Sequence, residues 1–361
     1  YLNYFPQPYF QTGERMKILQ SGITSVKGIK ALGKHIGIKK KKKDFVILFS
    51  EEPAICAGVF TTNKALAAPV IVSKKHLSKG KVRAIVVNSG IANACTGKKG
   101  IKDAEKITEW LGDEFGIKKT EVLIASTGLI GVFLPLGKIK NGIKGASHEL
   151  SSSVKAGMDA AEAIMTTDST PKELAVKIGN ATIGAIAKGS GMINPNMATM
   201  LCFIATDAKL SKKQASECLK RAVDKSFNMI SVDGCQSTND MVILLVNGVA
   251  GKVNAKKFQK ALDFVCTNLA KSIVKDGEGA TKFIEVNVIK SQNEEYAKKI
   301  AKAILNSNLV KTAFFGEKPN IGRIMAAIGS CDVDLDIKNF DVFFENQKVV
   351  SNGVIIIKNI E

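Results

Sequence analysis

The residues best placed to do chemistry lie in Lys188-Gly-Ser-Gly-Met-Ile-Asn-Pro-Asn-Met-Ala-Thr199-Met-Leu-Cys-Phe-Ile-Ala-Thr-Asp207. Turn-forming residues (Gly189, Ser190, Gly191, then Asn194, Pro195, Asn196) run into an apolar stretch over 200–205. A loop of that kind followed by a short apolar run reads as a turn entering a buried strand. Thr199 stands at the junction. Scission of the bond between Ala198 and Thr199 would leave a hydroxyl and a free α-amine on one residue. An α-amine has an ordinary pKa near ~8, so its neutral fraction can accept the hydroxyl proton and make the oxygen a nucleophile. The pattern equally suits a plain strand-opening threonine, because Thr favours strands and Gly favours turns. The loop alone leaves both readings open.

The elements that must hold this segment alternate in type. Residues 83–88 read as a strand ending in a loop, and 102–115 as a helix closing at Gly116. A strand over 121–125 runs into Ser126-Thr-Gly, and 157–165 has helical spacing. Residues 174–178 and 181–187 pair as a hairpin around Gly179-Asn180. Beyond Thr199, a helix over 212–227, a strand over 241–246 and a helix over 256–274 follow. Residues 283–289, 294–305 and 309–315 predict strand, helix, strand. Strands alternating with helices give an α/β or α+β class.

Eight motifs in order sharpen this. They are Cys56-Ala-Gly-Val-Phe-Thr-Thr-Asn-Lys64 with Ala68-Pro-Val70, Val87-Asn-Ser-Gly-Ile-Ala-Asn-Ala-Cys-Thr-Gly97, and Ser126-Thr-Gly-Leu-Ile-Gly131 with Leu134-Pro135. Ile164-Met-Thr-Thr-Asp168, the Lys188–Asp207 segment, Asp233-Gly234 with Ser237-Thr-Asn-Asp240, Asp276-Gly-Glu-Gly-Ala-Thr-Lys282, and Pro319-Asn320 with Gly322-Arg-Ile324 continue the series. Together they resemble the ornithine acetyltransferases, the self-cleaving glutamate N-acetyltransferases of the cyclic arginine pathway. The agreement of independent signals over roughly residues 16–330 makes the resemblance specific. The chain departs from the family at Ile91, Cys235, Gln236, Lys318 and Ile321. It also ends at Asn352-Gly-Val-Ile-Ile-Ile-Lys-Asn-Ile-Glu361 without the family's closing Asn and Thr or Ser, which leads us to expect a weakly closed substrate site.

The resemblance implies a layered α/β/β/α sandwich of the self-processing N-terminal-nucleophile type, built by two cleavage products. Residues 16–198 would form the alpha chain and 199–361 the beta chain, with 1–15 an extension outside the fold. It implies acetyl transfer from N-acetylornithine to glutamate through an acetyl-threonine, with acetyl-CoA open as a further donor. Thr199 would be the nucleophile, and Ala198-Thr199 the cleavage site. Thr127 and Gly128 would hold the oxyanion. Lys188 would meet a substrate carboxylate, Thr166 or Thr167 would hydrogen-bond the ligand, and Glu278 would meet a substrate ammonium. It further implies no cofactor, a cytoplasmic location and a heterotetramer of two alpha and two beta chains.

Composition bounds the rival readings. No phosphate-binding loop, dinucleotide fingerprint or metal-ligand cluster occurs in the sequence. Seven scattered cysteines without a Cys-x-x-Cys pair favour reduced thiols, and Cys202 reads as core filler. No apolar run reaches the ~20 residues that cross a bilayer, so no membrane partner is expected. The net charge of +19 is nearly all lysine, densest at Lys39–Lys43. Four arginines (Arg15, Arg83, Arg221, Arg323) and 6% aromatics do not suit nucleic-acid readout, and the lysine run reads as a solvated turn between strands. His35, His76 and His148 lie outside every motif and read as structural or surface residues. Two alternatives remain: an N-terminal-nucleophile aminopeptidase or amidase using water as acceptor, and a non-catalytic basic binding protein.

Overall fold

The computed structural model describes residues 16–193, 200–318 and 320–356. They divide into two units, Tyr1–Glu278 and Gly279–Glu361. The first unit opens with β1 (Lys17–Leu19), β2 (Ile29–Lys34), β3 (Phe45–Phe60), α1 (Ala68–Leu77), β4 (Val82–Ile91) and α2 (Gly97–Phe115). It continues through β5 (Val122–Leu129), α3 (Leu136–Ile143), α4 (Ala146–Glu149), α5 (Val154–Ala163), β6 (Lys172–Ile178) and β7 (Ala181–Lys188). It closes with β8 (Leu201–Lys209), α6 (Lys212–Lys225), β9 (Met241–Lys252) and α7 (Ala255–Lys275).

Strand β3 organises the sheet. Its first part, Phe45 to Phe49, pairs antiparallel with β4, while Ile55 to Phe60 pairs antiparallel with β9. The register with β4 breaks between Phe49 and Ala54, a stretch that contains Pro53. Proline has no N–H to give a ladder, so the strand can change partners there without leaving a donor unpaired. The resulting order is β1-β6-β7-β8-β9-β3-β4-β5, with β2 on the first part of β3.

Strand alternation then builds four layers. Ala185, Ala187, Ile204, Val242 and Leu244 face Ala222 of α6 and Phe258 and Leu262 of α7. The intervening residues Ile186, Phe203, Ile243 and Leu245 face Leu48, Ile85, Val87 and Leu123 across an inter-sheet core. The far side of β3–β5, with Ile47, Val86 and Ile124, packs on Ile107 and Leu111 of α2 and Ile139 of α3. Helix, strand, strand, helix is the expected α/β/β/α sandwich. Each fully buried Val, Leu, Ile or Phe side chain among them contributes about 1.5–3 kcal/mol.

The predicted hairpin is present, with Ile178 opposite Ala181. The helix ending at Gly116 is also present, Gly116 adopting the left-handed conformation (φ 62°) that favours glycine at a helix C-terminus. The lysine run is a turn between β2 and β3, but it is not solvated throughout. Lys43 bonds Asp159 and Glu162 of α5, and Lys39 reaches inward.

The second unit holds α8 (Glu294–Asn306), α9 (Asn308–Phe315), α10 (Ile321–Gly329) and a small antiparallel sheet of β10 (Val342–Phe344), β11 (Gln347–Ser351) and β12 (Val354–Ile355). Ile300, Ile304, Val310, Ile324 and Ile328 form its core. Two expectations are corrected here. Residues 309–315 are helical, because the Ser307 hydroxyl accepts from the Val310 N–H at 3.3 Å and caps a first turn. Val310 and Ala313 bury at three-residue spacing, and a run this short carries no decisive period. Residues 283–289 do alternate, with Ile284, Val286 and Val288 partly buried, but they belong to none of the assigned strands.

Candidate active site

The chemistry-bearing residues gather at one end of the strands. Lys188 is the last residue of β7 and lies opposite Leu201, the first of β8, which pairs with Met241, the first of β9. Lys188 is 2% exposed, and burial lowers its ammonium pKa below the usual lysine value. Asp168 Oδ2 lies 3.9 Å from its Nζ.

Asp168 is the hub that sequence reasoning quoted in a motif but gave no role. Lys172 Nζ donates to its Oδ1 at 2.8 Å, the Gly189 N–H donates to the same oxygen at 2.7 Å, and the Thr166 N–H donates to Oδ2 at 3.0 Å. Burial alone would raise its carboxyl pKa. Lys188, Lys172 and the Gly189 N–H outweigh burial and hold it at about 2. Lys172 also bonds Asp276 Oδ2 at 2.5 Å. One buried ion pair thus ties the Thr166 turn to the Lys188 loop. Asp168→Asn leaves two buried lysines short of charge and is expected to cost about 3–5 kcal/mol in denaturant unfolding. The pH dependence has a definite sign. A depressed carboxyl pKa stabilises above the unfolded value near ~3.9, and that gain is lost as pH falls towards about 2. The variant should therefore show a shallower acid limb than the parent across that window, and an identical limb would contradict the role.

Ala198 and Thr199 lie outside the described residues, but both flanks of their segment are fixed by one loop. Asp233 accepts the N–H groups of Met192 and Ile193, the latter at 3.0 Å. Asp240 Oδ1 accepts the Met200 N–H at 2.9 Å. Asp240 is 1% exposed, and burial pushes its carboxyl pKa up against the opposing pull of the Met200 N–H, Ser237 and Lys188. Glu278 is exposed and anchored to the loop after Lys188, its N–H donating to Ser190 O at 3.0 Å. The Glu278 carboxylate lies over this loop, 2.5 Å from where a Cβ on Gly191 would sit.

Thr127 and Gly128 lie just before the last residue of β5, in parallel register with Ser89 and Gly90 of β4. Thr127 is 3% exposed. Gly128 has φ +128°, and a Cβ there would sit 2.2 Å from the Gly90 carbonyl carbon. Two asparagines brace this turn. Asn88 Oδ1 accepts from the Ser126 hydroxyl at 2.6 Å, while Asn239 Nδ2 donates to Ala92 O at 2.7 Å and Ser126 O at 2.8 Å. Asn239 adjoins Asp240, so adjacent residues hold the oxyanion candidate and the start of β8.

Lys188, Asp168, the Thr166 turn and Glu278 form one connected group, and Asn239-Asp240 links the strand bearing Thr127-Gly128 to the start of β8. Thr166 is partly exposed and Thr167 exposed. Asp168, Lys172, Asn239 and Asp240, which tie these candidates together, carry no role in the sequence reading, although three of them stand in its motifs. His76 is buried with Nδ1 2.8 Å from Val122 O, as a structural histidine should be. Among the described residues no His, Cys, Asp or Glu cluster could hold a metal ion, and no helix is long and apolar enough to cross a membrane.

Comparison with known proteins is consistent over the chain's length. The profile of the ArgJ family matches residues 30–360. The arginine biosynthesis bifunctional protein ArgJ of Caldanaerobacter subterraneus is 48% identical over 353 residues, covering 94% of this chain and 87% of that protein. Its counterpart in Thermotoga neapolitana is 47% identical over 344 residues, covering 91% and 86%. A solved Bacillus halodurans ArgJ chain is 41% identical and aligns with 51% of this chain and 98% of its own at a TM-score of 0.48. A Mycobacterium tuberculosis ornithine acetyltransferase chain, solved with ornithine, is 36% identical and aligns with 50% and 98%, also at 0.48.

Proposed function

The chain belongs to the ArgJ family, and we propose that it moves an acetyl group from N-acetylornithine to glutamate through an acetyl-threonine at Thr199. It is an enzyme of arginine biosynthesis, as its relatives are. The observation that carries the reading is the buried Lys188 at the mouth of β7, on the same loop that seats Glu278 and leads towards residue 199.

The chemistry divides among these residues. The α-amine of Thr199, freed by self-cleavage after Ala198, takes the proton from its own hydroxyl as Oγ1 attacks the acetyl carbonyl. The resulting oxyanion accepts hydrogen bonds from the Thr127 hydroxyl and the Gly128 N–H. Collapse breaks the carbon–nitrogen bond, and the proton passes to the departing ornithine amine. The glutamate amine then attacks the ester, a second oxyanion forms at the same place, and N-acetylglutamate leaves as Oγ1 regains a proton. Lys188 grips the α-carboxylate common to both substrates, Glu278 meets an ammonium, and Thr166 or Thr167 supplies a hydroxyl. The two products, 16–198 and 199–361, assemble as a heterotetramer in the cytoplasm. Acetyl-CoA stands open as a second donor to the same threonine.

Incubation with N-acetylornithine alone is expected to add one acetyl group to the fragment that starts at Thr199, read by intact mass, and glutamate should remove it. An unmodified fragment during active turnover would mean direct transfer without an ester. Release of free acetate at the same rate with and without glutamate would make the protein a hydrolase instead.

A further inference from the structure

Within the lysine run, Lys39 differs from its neighbours. Lys40, Lys41 and Lys42 are exposed, and Lys43 is paired with Asp159 and Glu162. The Lys39 N–H donates to the buried Asp44, and its half-buried ammonium donates to Lys43 O at 2.9 Å and Met165 O at 2.6 Å. An ammonium has three donors, so one remains. Among the described residues no carboxylate lies within ion-pair distance of it.

That ammonium sits at the proposed substrate site. Met165 directly precedes Thr166 and Thr167, the turn that Asp168 holds from the other side. The charge acting most strongly on Lys39 is that of Asp44, and those of Lys188 and Asp168 act on it as well, which places it in the same electrostatic neighbourhood. Around the site Lys172 pairs with both Asp168 and Asp276, Lys188 lies 3.9 Å from Asp168, and Lys39 feels the charge of the buried Asp44 without an ion pair to any carboxylate among the described residues. Burial lowers the Lys39 pKa to about 8, and Lys188 is lowered as well. A desolvated ammonium is costly, and an incoming carboxylate on the donor that Lys39 leaves unused would offset part of that cost.

We propose that Lys39 reads the side-chain carboxylate of the acceptor glutamate, the group that N-acetylornithine lacks. The inference rests on the acetyl-transfer reading and assigns the acceptor specificity of that site. Both substrates carry an α-carboxylate, which one cation, Lys188, can serve. Only the acceptor brings a second carboxylate, and a second cation with a donor to spare is what it requires. The glutamate side chain and the ornithine side chain bear opposite charges, so the site needs distinct grips for them, Lys39 for the first and Glu278 for the second.

The two half-reactions can be read separately, by ornithine released on acetylation and by loss of the acetyl group as glutamate or glutamine is added. The parent should prefer glutamate over glutamine, which has the same shape without the charge. Lys39→Met is expected to raise the glutamate concentration for half-maximal deacetylation about ten- to hundredfold, the scale of one charged hydrogen bond. It should erase the preference over glutamine, with a much smaller effect on N-acetylornithine. Lys39→Arg, which keeps the charge, should keep the preference. Equal damage to both half-reactions with the preference intact would make Lys39 only a support for the Thr166 turn and overturn the assignment. A parent enzyme that accepts no acetyl group from N-acetylornithine would overturn the acetyl-transfer reading together with this one.

Discussion

Thr199→Ala is expected to leave one uncut chain and to lower acetyl transfer by about 10⁴-fold or more, the scale on which removal of a nucleophile registers. Both effects come from one oxygen. On the proposed mechanism that oxygen would attack the Ala198 carbonyl in the precursor, giving an ester that water opens, and the acetyl carbonyl in the cut enzyme. The flanks are prepared for this. Asp233 fixes the N–H groups of Met192 and Ile193, Asp240 fixes that of Met200, and Met192 holds φ +58°, a left-handed conformation that non-glycine residues seldom adopt. A denaturing gel reads the first effect and steady-state kinetics the second. Thr199→Ser should retain both in part, because it keeps the hydroxyl. Scission between residues 198 and 199 in the alanine variant would falsify self-cleavage by this residue.

Thr127→Ala is expected to reduce kcat by about 10²–10³-fold with little change in KM, the signature of a donor that acts where charge develops. The position is rigid. Thr127 is buried at the end of a parallel strand pair, and the turn beside it is braced by Asn88 and Asn239. A donor held this way needs no reorganisation when the oxyanion appears. The neighbouring Gly128 is a poorer probe, since any Cβ there meets the Gly90 backbone and would disturb the fold itself. Thr127→Ser should recover most of the rate. A change confined to KM would make Thr127 a ground-state contact.

What was legible in the sequence was local. The hairpin around Gly179-Asn180 and the helix closing at Gly116 follow from short-range turn and capping chemistry, and both are found. The resemblance also assigned both Lys188 and Glu278 to the substrate, and the Glu278 N–H is bonded to the loop that follows Lys188. What escaped depends on distance along the chain. Lys172 finds Asp276 more than a hundred residues away, and Lys39 finds Met165 across a similar gap. Periodicity carries no information about such pairs, and a lysine in a run of five looks solvated until the fold turns it inward. The partner change within β3 was hidden for the same reason, since a single apolar strand gives no sign that its two ends serve different neighbours. Residues 309–315 failed differently: the apolar run was too short for its period to choose between helix and strand, and the cap at Ser307 decided it.

The strand order has a mechanical consequence for a chain cut before Thr199. The leading fragment would own β1 to β7, and the trailing fragment would contribute β8 and β9 to the same sheet. Those two strands are wedged between strands of the other piece, β8 against β7 through six registered pairs and β9 against β3 through six more. Helices α6 and α7 travel with the wedge and cover the same face. Neither piece can leave without tearing the sheet along two seams at once and exposing the core on both sides. Severing the backbone here would thus free a reactive amine while the clasp stays shut. The two pieces should elute as one body in native buffer and part only in denaturant, and a leading fragment made alone would carry a slot in its sheet that only the trailing fragment fits.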